Sequence, residues 1–224
     1  MVVAGIGICR SVFVGRAPHK IWDAHVSVGP GTGFGVSCLV PRGAASIVIA
    51  TEAGHATLPT VSEREAQIID HLRRRFGHVS IERVLSGPGL ENLYGALAVV
   101  DNLQVPIREA ASITQAALDG SCGVSRAALD MFCSMLGTVC GNLALTFGAH
   151  GGVYLAGGIL PRLLDYLAAS DFRERFESKG RFQPYLRDIP VRVIVRPDAS
   201  FLGLKAFFDR TRAGADLSSM QPGR

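Results

Sequence analysis

The chain has 224 residues, of which 48% are hydrophobic and only 19% charged. A charged share below the usual ~25%, joined to that apolar content, excludes a disordered chain, and 26 glycines without a G-X-Y period exclude collagen while implying many tight turns. The net charge of +4 is carried mostly by scattered Arg residues, with Arg73-Arg74-Arg75 the one cluster, which gives no basic face for nucleic acid. The length suits one large domain or two small ones, and a chain of this size buries about 70% of its unfolded surface.

Residues 1–22 show no clear periodicity, and the start, M-V-V-A-G-I-G-I-C-R, lacks the basic region of a signal peptide. From Ala24 the pattern sharpens. Residues 25–41 read as strand, glycine turn, strand, and S-I-V-I-A-T-E as a third strand. Ser62-Glu63-Arg64-Glu65 is a capping box that opens a helix to about Phe76, with Gly77 as its stop. R-V-L-S-G at 83–87 reads as a short buried strand leading to Pro88 at a helix N-terminus. Ile107 to Leu118 and Val124 to Phe147 read as two further helices, the second almost wholly apolar. V-Y-L-A-G-G at 153–158 is a buried strand, Ile159 to Ala169 a helix, I-P-V-R-V-I-V at 189–195 the last strand and Phe201 to Arg212 the last helix. The polar tail after Ala213 is expected to fray. Strands alternating with helices, the later strands as continuous apolar runs, predict an α/β domain with a largely parallel sheet covered on both faces.

Met131 to Pro161 carries no Asp, Glu, Lys or Arg. Asn142, His150 and the glycines 148, 151 and 152 favour a buried helix, a glycine turn and a buried strand over a membrane span, so no membrane partner is expected. The cysteines Cys9, Cys38, Cys122, Cys133 and Cys140 are odd in number and contain no C-x-x-C, so free thiols and a cytoplasmic location are expected.

Four motifs carry candidate chemistry. Gly29-Pro30-Gly31-Thr32-Gly33-Phe34-Gly35 lies between two strands, where glycines let successive N–H groups converge on an anion and Thr32 adds a hydroxyl; a plain glycine hairpin explains the same residues. Glu52-Ala53-Gly54-His55 follows a strand and can present a carboxylate and an imidazole to neighbouring hydroxyls, as in a sugar diol, or simply be a polar loop. No second His or Cys stands nearby at ligand spacing, so no metal site is expected. Glu82 precedes Arg83-Val84-Leu85-Ser86-Gly87-Pro88-Gly89 on a turn between elements. Leu155-Ala156-Gly157-Gly158-Ile159 ends a buried strand and starts a helix, a place where a nucleotide can lie against an electropositive N-terminus, or where a strand merely turns.

Order and spacing raise these four together: the chain resembles the bacterial glucokinase family. The match is carried by G-P-G-T-G-F-G at 29–35, E-A-G-H at 52–55, S-I-E-R-V-L-S-G-P-G-L at 80–90, N-L-Y at 92–94, L-A-G-G-I-L-P-R at 155–162, K-G-R-F at 179–182 and F-L-G at 201–203. The resemblance implies an actin/hexokinase-like (ribonuclease H-like) large lobe over 24–197, a C-terminal helix and tail over 198–224, and ATP-dependent transfer of phosphoryl to the 6-hydroxyl of glucose, with Mg2+ accompanying ATP. It implies sugar-binding roles for Glu52, His55 and Glu82, joined by Gly33, a phosphate loop at Gly31, Thr32 and Gly33, adenosine-side glycines at Gly157 and Gly158, and a homodimer for which the apolar helix around Leu136 could supply a face. The cysteine-rich zinc motif of the related repressor/kinase family is absent from the sequence. Ala53 stands where the family usually has Gly. The family's opening Asp-x-Gly-Gly-Thr-Asn loop and the Asn-Asp pair bearing the general base match no residue among 1–28, so the small lobe is expected to be largely missing, 1–23 to be a remnant, and this chain to show little or no kinase activity. The alternative expectation is a non-catalytic sugar-binding or dimerising remnant.

Overall fold

Residues 25–51 contain two tight reversals, so three strands lie side by side rather than being joined by crossovers. The computed structural model describes residues 11–13, 23–42, 45–196, 198–199, 201–205 and 208. The strands are β1 (Ser11–Phe13), β2 (His25–Pro30), β3 (Phe34–Arg42), β4 (Ala45–Thr51), β5 (Gly152–Leu155) and β6 (Val191–Ile194). The helices are α1 (Glu63–Phe76), α2 (Gly87–Val100), α3 (Ala110–Leu118), α4 (Gly123–Phe147), α5 (Leu164–Ala169), α6 (Phe172–Glu177) and α7 (Gln183–Arg187). They build a six-stranded sheet in the order β1-β6-β5-β2-β3-β4.

The sheet is mixed, not largely parallel. β2 pairs with β5 and β5 with β6 in parallel, while β2–β3, β3–β4 and β1–β6 are antiparallel. Only chain long enough to carry a crossover can return parallel; the three residues between β2 and β3 cannot, whereas α1–α4 and α5–α7 can. Nor is every strand covered: Ile47 and Ile49 on the edge strand β4 are exposed. β1 supplies a strand within the stretch expected to be irregular.

α4 explains the charge-free stretch. It is long and apolar enough to cross a membrane, but Leu129, Phe132, Met135, Leu136 and Val139 are buried in the core of this chain. α6 crosses it closely because of two glycines. A Cβ at Gly137 would stand 2.2 Å from the Phe172 carbonyl oxygen, and one at Gly141 2.4 Å from that of Phe176. Leu136 is fully buried within the chain, so that residue itself offers no face to a second copy.

α1 begins as the capping box requires, with Ser62 Oγ accepting from the Glu65 N–H at 3.2 Å. The Glu65 carboxylate reaches back to the Val61 N–H at 2.8 Å rather than to Ser62. Its other oxygen accepts from Arg175 on α6 at 2.6 Å, and Arg175 also donates to Thr138 on α4. One largely buried ion pair thus ties three helices together.

Four local expectations change. Residues 83–86 are a turn, not a strand, because Arg83, Val84 and Leu85 donate back to the carbonyls of Ser80 and Ile81. α3 starts at Ala110 rather than Ile107. Ile159 to Ala169 splits into a single 3-10 turn and α5, with Pro161 at the start of the turn. α6 and α7 lie where no helix was expected. Residues 201–205 and 208 are helical as expected, while 209–224, Cys9 and 14–22 lie outside the described residues.

Candidate functional site

All four motifs meet at the carboxyl ends of β2 and β5, the edge where parallel α/β sheets hold ligands. The glycine turn closes on itself, Gly31 N–H donating to Gly33 O at 2.8 Å. Against it lies the 52–55 segment, a single 3-10 turn. A side chain at Gly54 would put its Cβ 2.2 Å from the Phe34 carbonyl oxygen, so only glycine permits this approach.

The 79–82 segment then runs alongside 54–58. Leu58 N–H donates to Val79 O, Ile81 N–H to Ala56 O and Glu82 N–H to Gly54 O, at 2.9–3.1 Å. This pairing carries Glu82 to the glycine turn, where Oε2 accepts from Phe34 N–H at 2.9 Å. Gly33 leaves the carboxylate its room, since a Cβ there would lie 2.5 Å from Oε2. Glu52 and His55 stand on the rim beside it, 91% and 62% exposed and 3.8 Å apart between Oε2 and Nε2. Two carboxylates and an imidazole on one rim can accept from and donate to several hydroxyls of one small ligand.

Ser86 turns the chain from this rim into α2. Its hydroxyl accepts from Gly89 N–H at 3.0 Å and donates to Glu82 O at 2.8 Å. The first helical N–H, from Gly87, donates to Gly31 O at 2.8 Å. The electropositive end of α2 is thereby set against the glycine turn.

A cleft of about 650 Å³ opens between Gly31 and Thr32, the start of α2 at Gly87 and Pro88, Ala110 and Ala111 of α3, and Gly158. A more enclosed cavity of about 310 Å³ continues from it, lined by Leu90, Thr114, Leu118, Ile159 and Arg162. These volumes fall in the range of small-molecule sites, about 300–1,000 Å³. The two adjacent glycines have different duties. Gly158 faces the cleft with no atom within 4 Å of a built Cβ, whereas Gly157, at φ +106°, is pressed against Pro30 and would place a Cβ 2.3 Å from its carbonyl oxygen.

Every sequence-predicted site residue is thus at this edge, although Gly157 supports the site from behind instead of lining the cleft. The α2 start was visible as Ser86 and Pro88 but was not recognised as a cleft wall. Ala110, Ala111 and Thr114 carry no local signal, because α3 reaches the cleft only by packing on α2 and α4, whereas Arg162 closes the L-A-G-G-I-L-P-R motif, which points to the site without singling out that residue.

A sheet ordered β4-β3-β2-β5-β6, with a glycine hairpin, a rim of two carboxylates and an imidazole, and an open cleft at one edge, is the arrangement of an actin-like sugar-kinase fold. Solved structures agree. A glucokinase from an Antarctic psychrotroph superposes with a TM-score of 0.84 at 38% identity, over 89% of this chain and 62% of that one. A ROK family glucokinase from Streptomyces griseus, in complex with glucose and AMPPNP, shares the fold at a TM-score of 0.56 and 18% identity, over 82% of this chain and 60% of that one. The glucokinase family profile matches residues 10–211, and the chain belongs to that family. The glucokinase of Paramagnetospirillum magneticum is 53% identical over 178 residues, 79% of this chain and 56% of its own length. The chain therefore spans a little over half of the relatives it matches.

Proposed function

We propose that the chain forms the sugar- and nucleotide-holding part of a glucokinase, which transfers phosphoryl from ATP to the 6-hydroxyl of glucose. The observation that carries this reading is the shared glycine turn: Phe34 N–H, at its exit, is bound by the rim carboxylate Glu82, while Gly31 and Thr32 line the cleft. A sugar on the rim and the phosphates of a nucleotide in the cleft would then be neighbours, which is the positioning that phosphoryl transfer requires.

In this reading Glu52, His55 and Glu82 orient the sugar hydroxyls. The turn and the α2 N-terminus offer backbone donors and a positive dipole to phosphate oxygens. Gly158 leaves a flat approach for the nucleoside. Mg2+ would enter with the nucleotide phosphates and neutralise their charge. No residue among 1–28 matches the family's general-base Asp, and a positioned base typically contributes about 10²–10⁴-fold, so we infer that this chain binds both ligands but turns over weakly or not at all. Family resemblance adds a homodimer, which light scattering checks, and a cytoplasmic location, with which the free thiols at Cys38, Cys122, Cys133 and Cys140 are consistent.

Titration calorimetry with glucose and with AMPPNP, beside a coupled glucose 6-phosphate assay, tests the proposal. Saturable binding of both with little turnover is expected. Saturable glucose binding with no nucleotide binding would assign the alternative role, a sugar-binding remnant. A folded chain that binds neither ligand would overturn the proposal.

A further inference from the structure

The rim and the glycine turn share one carboxylate. We infer that Glu82 is a positioning residue for the glycine turn, and that sugar and nucleotide binding are coupled through it. The coupling rests on the reading of this edge as a sugar and nucleotide site; the positioning rests on geometry alone.

Three contacts carry the inference. Glu82 Oε2 holds the Phe34 N–H at 2.9 Å, fixing the exit of the turn. Gly87 N–H holds Gly31 O at 2.8 Å, fixing its entrance. The Ser86 hydroxyl, donating to Glu82 O at 2.8 Å, joins the two holds into one short segment. Gly33 completes the arrangement by absence, because any side chain there would displace the carboxylate. The turn that lines the cleft is therefore set by the segment that presents Glu82 to the rim. A carboxylate accepts up to about four hydrogen bonds, so a sugar hydroxyl can donate to Oε1 while Oε2 keeps Phe34. Sugar binding then restrains the carboxylate, and with it the turn. By linkage, each ligand tightens the other by the same factor, within the ~5–150-fold range of such couplings.

The test combines amide hydrogen exchange at Phe34 with AMPPNP titrations, with and without glucose, on the chain as it stands. Glucose is expected to slow Phe34 exchange and to tighten AMPPNP at least ~5-fold. Glu82→Ala is expected to speed Phe34 exchange at least tenfold and, at glucose concentrations that saturate the variant, to abolish the effect of glucose on AMPPNP. Glu82→Gln keeps an acceptor and should retain slow exchange, a rescue that a merely space-filling role would not distinguish from Glu82→Met. Should Glu82→Ala fail to fold, Gly33→Ala, which pushes the carboxylate away, is expected to give the same loss of Phe34 protection. Native Phe34 exchange in folded Glu82→Ala would overturn the positioning role. Glucose binding without any change in AMPPNP affinity would overturn the coupling while leaving the site reading intact. Failure of the native chain to bind glucose would overturn the site reading and the coupling together, and Phe34 exchange would still judge the positioning role.

Discussion

Adjacent glycines at the end of β5 give opposite expectations for the same substitution. In Gly157→Ala the new methyl would lie 2.3 Å from Pro30 O and 3.1 Å from Pro30 C. Carbon–oxygen contacts normally close at about 3.3–3.6 Å, so the intrusion is about 1 Å against backbone. Pro30 has little room to yield, because it pairs with Phe34 and β2 is held to β5 through Val28↔Leu155 and the 2.7 Å bond from Ala156 N–H to Val28 O. At φ +106° the backbone itself also disfavours a side chain. Strain of about 1–3 kcal/mol and overpacking of a similar size sum to about 2–6 kcal/mol, a large part of a typical ~5–15 kcal/mol stability. Gly158→Ala meets nothing within 4 Å and should stay within about 0.5 kcal/mol of the native chain. Urea unfolding followed by circular dichroism measures both. Function should invert the ranking: the Gly158→Ala methyl enters the cleft, so AMPPNP affinity falls while stability holds. Equal stability losses in the two variants, or a Gly157→Ala loss under about 1 kcal/mol, would refute the assignment of Gly157 to support and Gly158 to the cleft.

Two further predictions concern groups outside the site. Glu65 is almost wholly buried and Arg175 19% exposed, with 2.6 Å between them; Arg175→Met should cost about 3 kcal/mol by leaving a buried charge unpaired, and a double-mutant cycle with Glu65→Gln should return a coupling above about 1 kcal/mol, additivity being the contrary result. Cys122, the residue before α4, has its pKa lowered by the Ser125 hydroxyl and N–H, by the Val124 N–H and by the nearby Arg108. Burial raises Cys38 and pushes Cys133 up to about 12. A lowered pKa means more thiolate at a given pH, so iodoacetamide should alkylate Cys122 before these two at pH 7.5; equal rates at Cys122 and Cys133 would contradict this.

The elements legible in the sequence were those whose signals are local. The hairpin around Gly31–Gly33, the capping box at Ser62, the Pro88 helix start and the apolar run of α4 each carry their own turn, cap or period, and each is present. The misreadings share a cause. R-V-L-S-G has strand-like residues, but the carbonyls of Ser80 and Ile81 take its N–H groups before any neighbouring strand can. Alternation of strands with helices and the apolar runs of the later strands suggest a parallel sheet, although the short connection at 31–33 dictates an antiparallel neighbour. α6 went unread because its six residues are too few to show a period; Gly137 and Gly141 across the core define where it sits.

The site shows the same division at finer grain. Glu52, His55 and Glu82 were legible as chemistry, because carboxylate and imidazole on loops suggest hydroxyl binding, yet nothing local says that Glu82 must also hold a backbone amide 48 residues away. The glycines were legible as freedom, but freedom has two uses that sequence cannot separate. Gly33, Gly54 and Gly157 are glycine because a neighbour occupies the place of a side chain, whereas Gly31 and Gly158 have no such neighbour within 4 Å. The first three are therefore constrained by packing and the last two by whatever enters the cleft. That distinction makes a substitution series discriminating: Ala at 54 or 157, which meets backbone, should lower stability before affinity, Ala at 33 should act through the displaced Glu82 carboxylate, and Ala at 31 or 158 should lower affinity alone.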